Sequence, residues 1–273
     1  MKSRTRSKIS KITLLSIAAL LTVAPFYIML VTSTKDQTAF VTNFWGISFP
    51  FEIQNYTMAW KVVKNYIVNS FTVTMLTCIG ILIVSIPAGY AFAKLPIKNK
   101  EKAFTIVMAF QMIPITLLLV PMFINILHMG LNDSHWGVIL PNIATGSILS
   151  VILVRSFFEG IPDSIFESAR LDGAHEVKIM LNVVIPMSKP IIGTVLLFNF
   201  FSYFNQFMWP FIVLSSDKLK TIPIGLMKLS GQYGVNFGLQ MAAYTIVSVP
   251  LVILIVSTMK VYVSGITSGA VKG

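Results

Sequence analysis

Two groups of residues in this sequence carry chemistry. The first lies between Glu159 and Glu176 and holds five of the ten acidic residues: Glu159, Asp163, Glu167, Asp172 and Glu176. Carboxylates on a short exposed segment accept charge-assisted hydrogen bonds, which are stronger than neutral ones, so this segment suits docking. The second group lies between Asn199 and Trp209. At helical spacing Asn199, Ser202, Tyr203 and Gln206 share an arc of about 100°, with Trp209 beside it. Phe200, Phe201, Phe204, Phe207 and Met208 take the other side. Uncharged amides, a phenol and an indole suit a sugar, bonding its hydroxyls and stacking on its C–H face. In lipid these groups are expensive, so the arc should face protein or a water-filled path. Hydrogen bonding between packed helices is the competing use of the same residues. Asn205 points away from the arc and is expected to bond a neighbouring helix; Gln111 and Asn142 read as structural.

Other chemistries are excluded. The phosphate-binding pattern G-x-x-x-x-G-K-[ST] occurs nowhere, so the chain is not itself an ATPase. No cluster of His, Cys, Asp or Glu has metal-ligand spacing, and no Ser/His/Asp set can be assembled. His128, His135 and His175 fall in predicted loops and read as solvated. The single Cys78 lies in an apolar run and reads as a small core hydrophobe. An integral membrane enzyme would need carboxylates within its spans, and these are nearly absent there.

The elements that must position these groups are membrane helices. Of 273 residues 55% are hydrophobic and 11% charged, about half the charged share of a soluble domain. The net charge of +11 sits beside apolar runs, which marks topology rather than nucleic-acid binding. Apolar runs predict six spans in one polytopic membrane domain, at about 12–31, 67–92, 103–127, 136–158, 190–214 and 241–261. A cleaved signal peptide is the competing reading of the first run; its length and the want of a small-residue cleavage site disfavour it. Residues 32–66 and 215–240 read as loops, the former rich in aromatic residues suited to a membrane interface. Placing the N-terminus inside puts 15 Lys and Arg on that face and the other 6 of the 21 outside, so both termini are expected in the cytoplasm.

The segment 159–190 connects spans four and five on that cytoplasmic face. Pro162-Asp163-Ser164 is a helix-start signal, and Ser164 with Glu167 has capping-box spacing. Gly173 permits a sharp bend. A second amphipathic piece follows, with Val177, Met180, Leu181 and Val184 on one face, closed by Pro186 and Pro190.

The order Glu167-Ser168-Ala169, three residues, Gly173, nine residues, Val183-Val184-Ile185-Pro186 resembles the EAA loop of ABC-importer permeases. Ser168, Val183 and Ile185 are mild departures from E-A-A-x3-G-x9-I-x-L-P. Arg170-Leu171-Asp172-Gly173-Ala174, Asn132-Asp133-Ser134 with Gly137–Pro141, Thr221–Leu226 and the ending Gly265–Gly273 are similar to the carbohydrate branch, maltose-type and MalG-like. The resemblance implies the type I importer fold and a multi-pass protein of the bacterial inner (plasma) membrane. It implies that Glu167, Ser168, Ala169, Arg170, Asp172, Gly173 and Pro186 couple to a separate ATPase. Capping of its own helix is the plainer role for Glu167, and the two can coexist. Implied partners are a second permease, giving a heterodimer, two ATPase subunits that bind ATP and magnesium, and an extracytoplasmic sugar-binding protein. No cofactor is implied in this chain. A self-sufficient secondary transporter is the alternative; it would be expected to carry intramembrane carboxylates for coupling.

Overall fold

The computed structural model describes residues 2–232 and 236–270, and every regular element among them is helical. In chain order these are α1 Lys2–Ser33, α2 Gln37–Thr42, α3 Gln54–Lys94, α4 Lys100–Gln111, α5 Ile115–His128 and α6 His135–Glu159. There follow α7 Asp163–Leu171, α8 Glu176–Ile179, a π turn Met180–Val184, α9 Ile185–Met187 and α10 Lys189–Phe204. The chain continues through α11 Met208–Val213, a 3₁₀ turn Asp217–Leu219, α12 Ile222–Gln232 and α13 Phe237–Ala270.

Four of these helices are long and apolar enough to cross a membrane, and two bent pairs bring the number to six if each pair is one span. The differences from the sequence-based spans have local causes. The second predicted span, 67–92, lies inside α3, which begins at Gln54 because Ala59, Val63 and Tyr66 form a buried helical stripe ahead of it. The third, 103–127, is broken into α4 and α5 at 96°. Pro114 drives Ile113 out of helical geometry, and both halves stay apolar. The fifth, 190–214, ends as α10 at Phe204 and resumes as α11, so the arc is not one continuous helix. Pro210 cannot donate to the Gln206 carbonyl and its ring would clash there. The predicted loop 215–240 contains α12 and the start of α13.

The chain divides into two compact units, residues 1–64 with 225–253, and residues 65–224 with 254–273. In the first, Lys35 is buried and donates to the Asn43 and Phe44 carbonyls, while Asn55 donates to Ser33 and Lys35 carbonyls at 3.1 and 2.9 Å. Phe40 stacks on Phe237 at 4.3 Å.

The second unit holds both groups of interest. One apolar cluster joins α3, α6, α7 and the stretch after Gly173 through Ile86, Tyr90, Val154, Phe158, Phe166 and Ile179. Another joins α3, α5, α6 and α11 through Val73, Ile126, Val138, Ile139, Trp209 and Val213. Helices α3 and α6 approach closely at Gly89, where an added Cβ would lie 2.9 Å from Val154 Cγ1 and 3.1 Å from the Arg155 nitrogen. Arg155 on α6 lies over the Phe104 ring and pairs with Glu101 at 2.7 Å and Glu159 at 2.7 Å, which holds α4 against α6. Asp133 accepts from the Ser215 and Ser216 amides at 2.9 and 2.8 Å, fixing the turn that follows α11.

Candidate coupling and pathway sites

The loop between α6 and α10 is built on a buried aromatic ring. Phe166 of α7 is inserted into the first apolar cluster, and Ala169 and Ala174 pack on the same cluster. Helix α7 starts at Asp163, with Pro162 as its cap, so Ser164 lies inside the first turn and the Ser164–Glu167 capping box does not form. Pro162 takes the extended cap position, so the helix starts two residues earlier than a Ser164 cap would set it. Asp163 instead puts its carboxylate in the first turn, where the helix dipole favours negative charge. Lys94 Nζ donates to it at 2.7 Å and to the Ile161 carbonyl at 2.7 Å. This Lys94 hydrogen bond, followed by its charge, holds the Asp163 carboxyl below the usual carboxylate range.

The helix ends in a left-handed glycine. Gly173 has φ +76°, its amide donates to the Arg170 carbonyl, and the Ala174 amide donates to the Ala169 carbonyl, each at 3.0 Å. These are the two bonds of a Schellman stop. A Cβ at Gly173 would meet nothing within 4 Å, so within this chain its requirement is backbone conformation and not room. Arg170 turns back to Glu176 at 2.9 Å, and the other Glu176 oxygen accepts from Tyr90 of α3.

Glu167 is exposed, and among the described residues it has no ion-pair partner. It borders an open cleft of about 300 Å³ lined also by Lys94, Lys100, Asp163 and Arg170. Ser168 is exposed and donates to the Ser164 carbonyl at 2.9 Å; Asp172 is the exposed C-cap. Pro186 lies in α9, just after the π turn. Lacking an N–H, it withdraws the donor an α register would supply to Asn182. The π turn also splits the predicted apolar face: Val184 is buried and Met180 half-buried, whereas Val177 and Leu181 are exposed. Leu171, at the tip of α7, is 89% exposed. The sequence reading missed it, although a leucine between Arg170 and Asp172 on a polar helix was the available signal.

The polar arc meets α6. Asn199 is buried and donates to Ser150 Oγ at 3.0 Å and to the Val195 carbonyl at 2.8 Å. Tyr203 donates to the Asn142 carbonyl at 3.0 Å, and Gln206 and Asn142 pair through their amides. Gly146 leaves the space for this seam, since a Cβ there would collide with Tyr203 Oη and Ile81 Cδ1. Ser202 is exposed and donates only to its own helix, at the Phe198 carbonyl. Trp209 sits on α11, buried in the second cluster, and its indole N–H has no acceptor among the described residues. Asn205, expected to bond a neighbouring helix, donates to the Phe201 carbonyl of its own. Phe200 and Phe204, across from the arc, are buried and pack on Phe71 of α3. Among the three histidines, His135 reaches the Leu219 carbonyl at 2.9 Å and His175 caps α8 through Lys178 N, so these two are structural.

Residues 85–267 match the family described as binding-protein-dependent transport system inner membrane component. The arabinooligosaccharides transport system permease protein AraQ of Bacillus subtilis is 32% identical over 80% of this chain and 78% of its own length. The melibiose/raffinose/stachyose import permease protein MelC of the same organism is 28% identical, over 99% of both chains. Among solved structures, a bacterial ABC transporter involved in the import of the acidic polysaccharide alginate shares the fold, with a TM-score of 0.81 over 96% of this chain and 98% of that one at 23% identity. With the family matched over two thirds of its length, the chain belongs to the binding-protein-dependent transport system inner membrane components and is a multi-pass permease subunit of an ABC importer, working with ATPase subunits and a binding protein.

Proposed function

We propose that the chain conducts a sugar or oligosaccharide, that both termini lie in the cytoplasm, and that α7 is the surface on which a separate ATPase docks. The observation that carries the coupling role is the build of α7. Its buried side holds Phe166, its end is closed by Gly173, and its outer side offers an exposed Glu167 carboxylate beside Leu171. A rigid helix with a carboxylate and an apolar tip facing out has the form of a docking element. The carbohydrate substrate is supported by AraQ and MelC, whose names specify oligosaccharides. The cytoplasmic termini are supported by the asymmetry of Lys and Arg. ATP and magnesium belong to the partner ATPases, and a second permease of the same family completes the path as a heterodimer.

The test is reconstitution. The chain alone in liposomes is expected to move no oligosaccharide under a proton or sodium gradient, and the assembled complex to do so only with Mg-ATP. Gradient-driven uptake by the chain alone overturns the reading.

A further inference from the structure

The coupling loop is continuous in sequence with α6 and α10, yet its firmest polar attachments are to neither. We propose that α3 receives the motion of α7 through a joint of Tyr90, Lys94 and Glu176, so that α3 moves with the docked helix as one body. This rests on the reading of α7 as the docking element.

The joint has two points, one at each end of the loop's bend. At the first, Lys94 in the last turn of α3 donates to the Ile161 carbonyl and to Asp163, at the head of α7. At the second, Tyr90, one turn earlier on α3, donates to Glu176 at the head of α8. The same Glu176 carboxylate takes Arg170 on its other oxygen, so a single side chain ties α7, α8 and α3 together. The Phe166 ring fills the space between the points, 5.1 Å from Lys94 Nζ and 6.0 Å from the Tyr90 ring. Tyr90 is 3% exposed and the Lys94 side chain 6%, so both donors are buried, while the Glu176 and Asp163 side chains they meet are 42% and 77% exposed. Within the second unit α3 continues as one helix from Asn65 to Lys94, with Pro87 inside it one turn before the joint. By contrast the route into α10 passes a π turn and a 79° bend at Ser188, which are compliant points. A displacement of α7 is therefore delivered to α3 through two polar points, whereas α10 is linked to it by the shared apolar cluster and, along the chain, by a hinge. Tyr90 and Glu176 act through their neighbours and are positioning residues.

The test uses the assembled complex in proteoliposomes with two mild variants. Tyr90→Phe removes one hydroxyl and keeps the ring on Phe166; Glu176→Gln keeps the shape and removes the charge. In both, the ATPase should co-purify as in wild type and ATP hydrolysis should persist. The oligosaccharide moved per ATP should fall about fivefold or more, the span of a typical coupling between sites. The double variant should fall no further than the worse single one, since both remove one joint. Placing cysteines at 90 and 176 in a Cys78→Ala background and bridging them with a short bifunctional thiol reagent should restore the ratio, and reduction should remove it again. A wild-type ratio in both single variants overturns the joint. So does a parallel loss of ATPase binding, which would mean that the bonds merely fold the loop. The docking reading is judged separately: Glu167→Ala and Gly173→Asp must weaken co-purification, whatever Tyr90→Phe does.

Discussion

Asn142 on α6 and Gln206, two residues beyond α10, exchange both of their amide hydrogen bonds. Asn142 Nδ2 donates to Gln206 Oε1 at 2.7 Å, and Gln206 Nε2 donates to Asn142 Oδ1 at 3.1 Å. Together with Tyr203 on the Asn142 carbonyl, the pair holds the frayed end of α10 against α6 where Pro210 denies it a helix. Replacing either amide with leucine leaves the other unpaired in a membrane setting. The double replacement is expected to be milder than the sum of the singles, with a pair coupling of about 0.6–1.7 kcal/mol. A double-mutant cycle of unfolding in bicelles measures it, and a coupling of zero would show that the amides do not depend on each other.

The arc predicts a graded pattern of water access. Ser202 is exposed and bonds only its own helix, whereas Asn199 is buried against Ser150. Single cysteines at 202 and 199 should therefore differ: the first labels with a polar maleimide in at least one nucleotide state, the second stays protected in the state described here. Protection of residues 199, 202, 203 and 206 in every nucleotide state would remove the arc from the path.

Gly173 is predicted to separate backbone from docking effects. Its φ of +76° penalises an L side chain by about 1–2 kcal/mol, less for asparagine, which tolerates the left-handed region. Because a Cβ has free space within the chain, Gly173→Asn should leave α7 folded, as read by amide exchange across 163–174. A strong loss of ATPase binding in that folded variant would locate the tight approach in the partner. Wild-type binding would leave Gly173 a purely conformational requirement.

Asp163 predicts a pH dependence confined to the acid range. Lys94 holds its folded pKa below the unfolded value, which is about 3.9 for an ordinary Asp. Its contribution is therefore present above that unfolded value and is lost as pH falls through the folded one. The Asp163 carboxyl-carbon shift in selectively labelled protein should titrate below the ordinary range, and in Lys94→Met it should return to it. An ordinary titration in the wild type would show that the Lys94 contact is not populated.

Much of this organisation is local and therefore readable in sequence. The four long apolar helices follow from unbroken apolar runs, because a bilayer demands about 30 Å of apolar helix wherever one crosses. The bend at Gly173 follows from one residue type, since a helix closed by a left-handed turn favours glycine. Other features depend on partners far away in the chain. Pro114 and Pro210 were visible, but whether a proline kinks or ends a helix depends on what satisfies the freed carbonyls. The arc from Asn199 to Gln206 was visible as polar, yet its pairing with Ser150 and Asn142 spans 49 and 64 residues, beyond the reach of helical spacing. The Ser164–Glu167 spacing suggested a cap that Pro162 and Lys94 displaced. Lys94 counted in the sequence only as a positive charge, and Tyr90 as part of an apolar run. Their roles against Asp163 and Glu176 arise because α3 and the loop pack on a shared core, 69 and 86 residues apart. Sequence alone marked which segments are apolar enough for a membrane and where α7 must turn; packing decided which polar groups pair, because a hydrogen bond requires a partner within about 3 Å and only the folded chain brings distant residues that close.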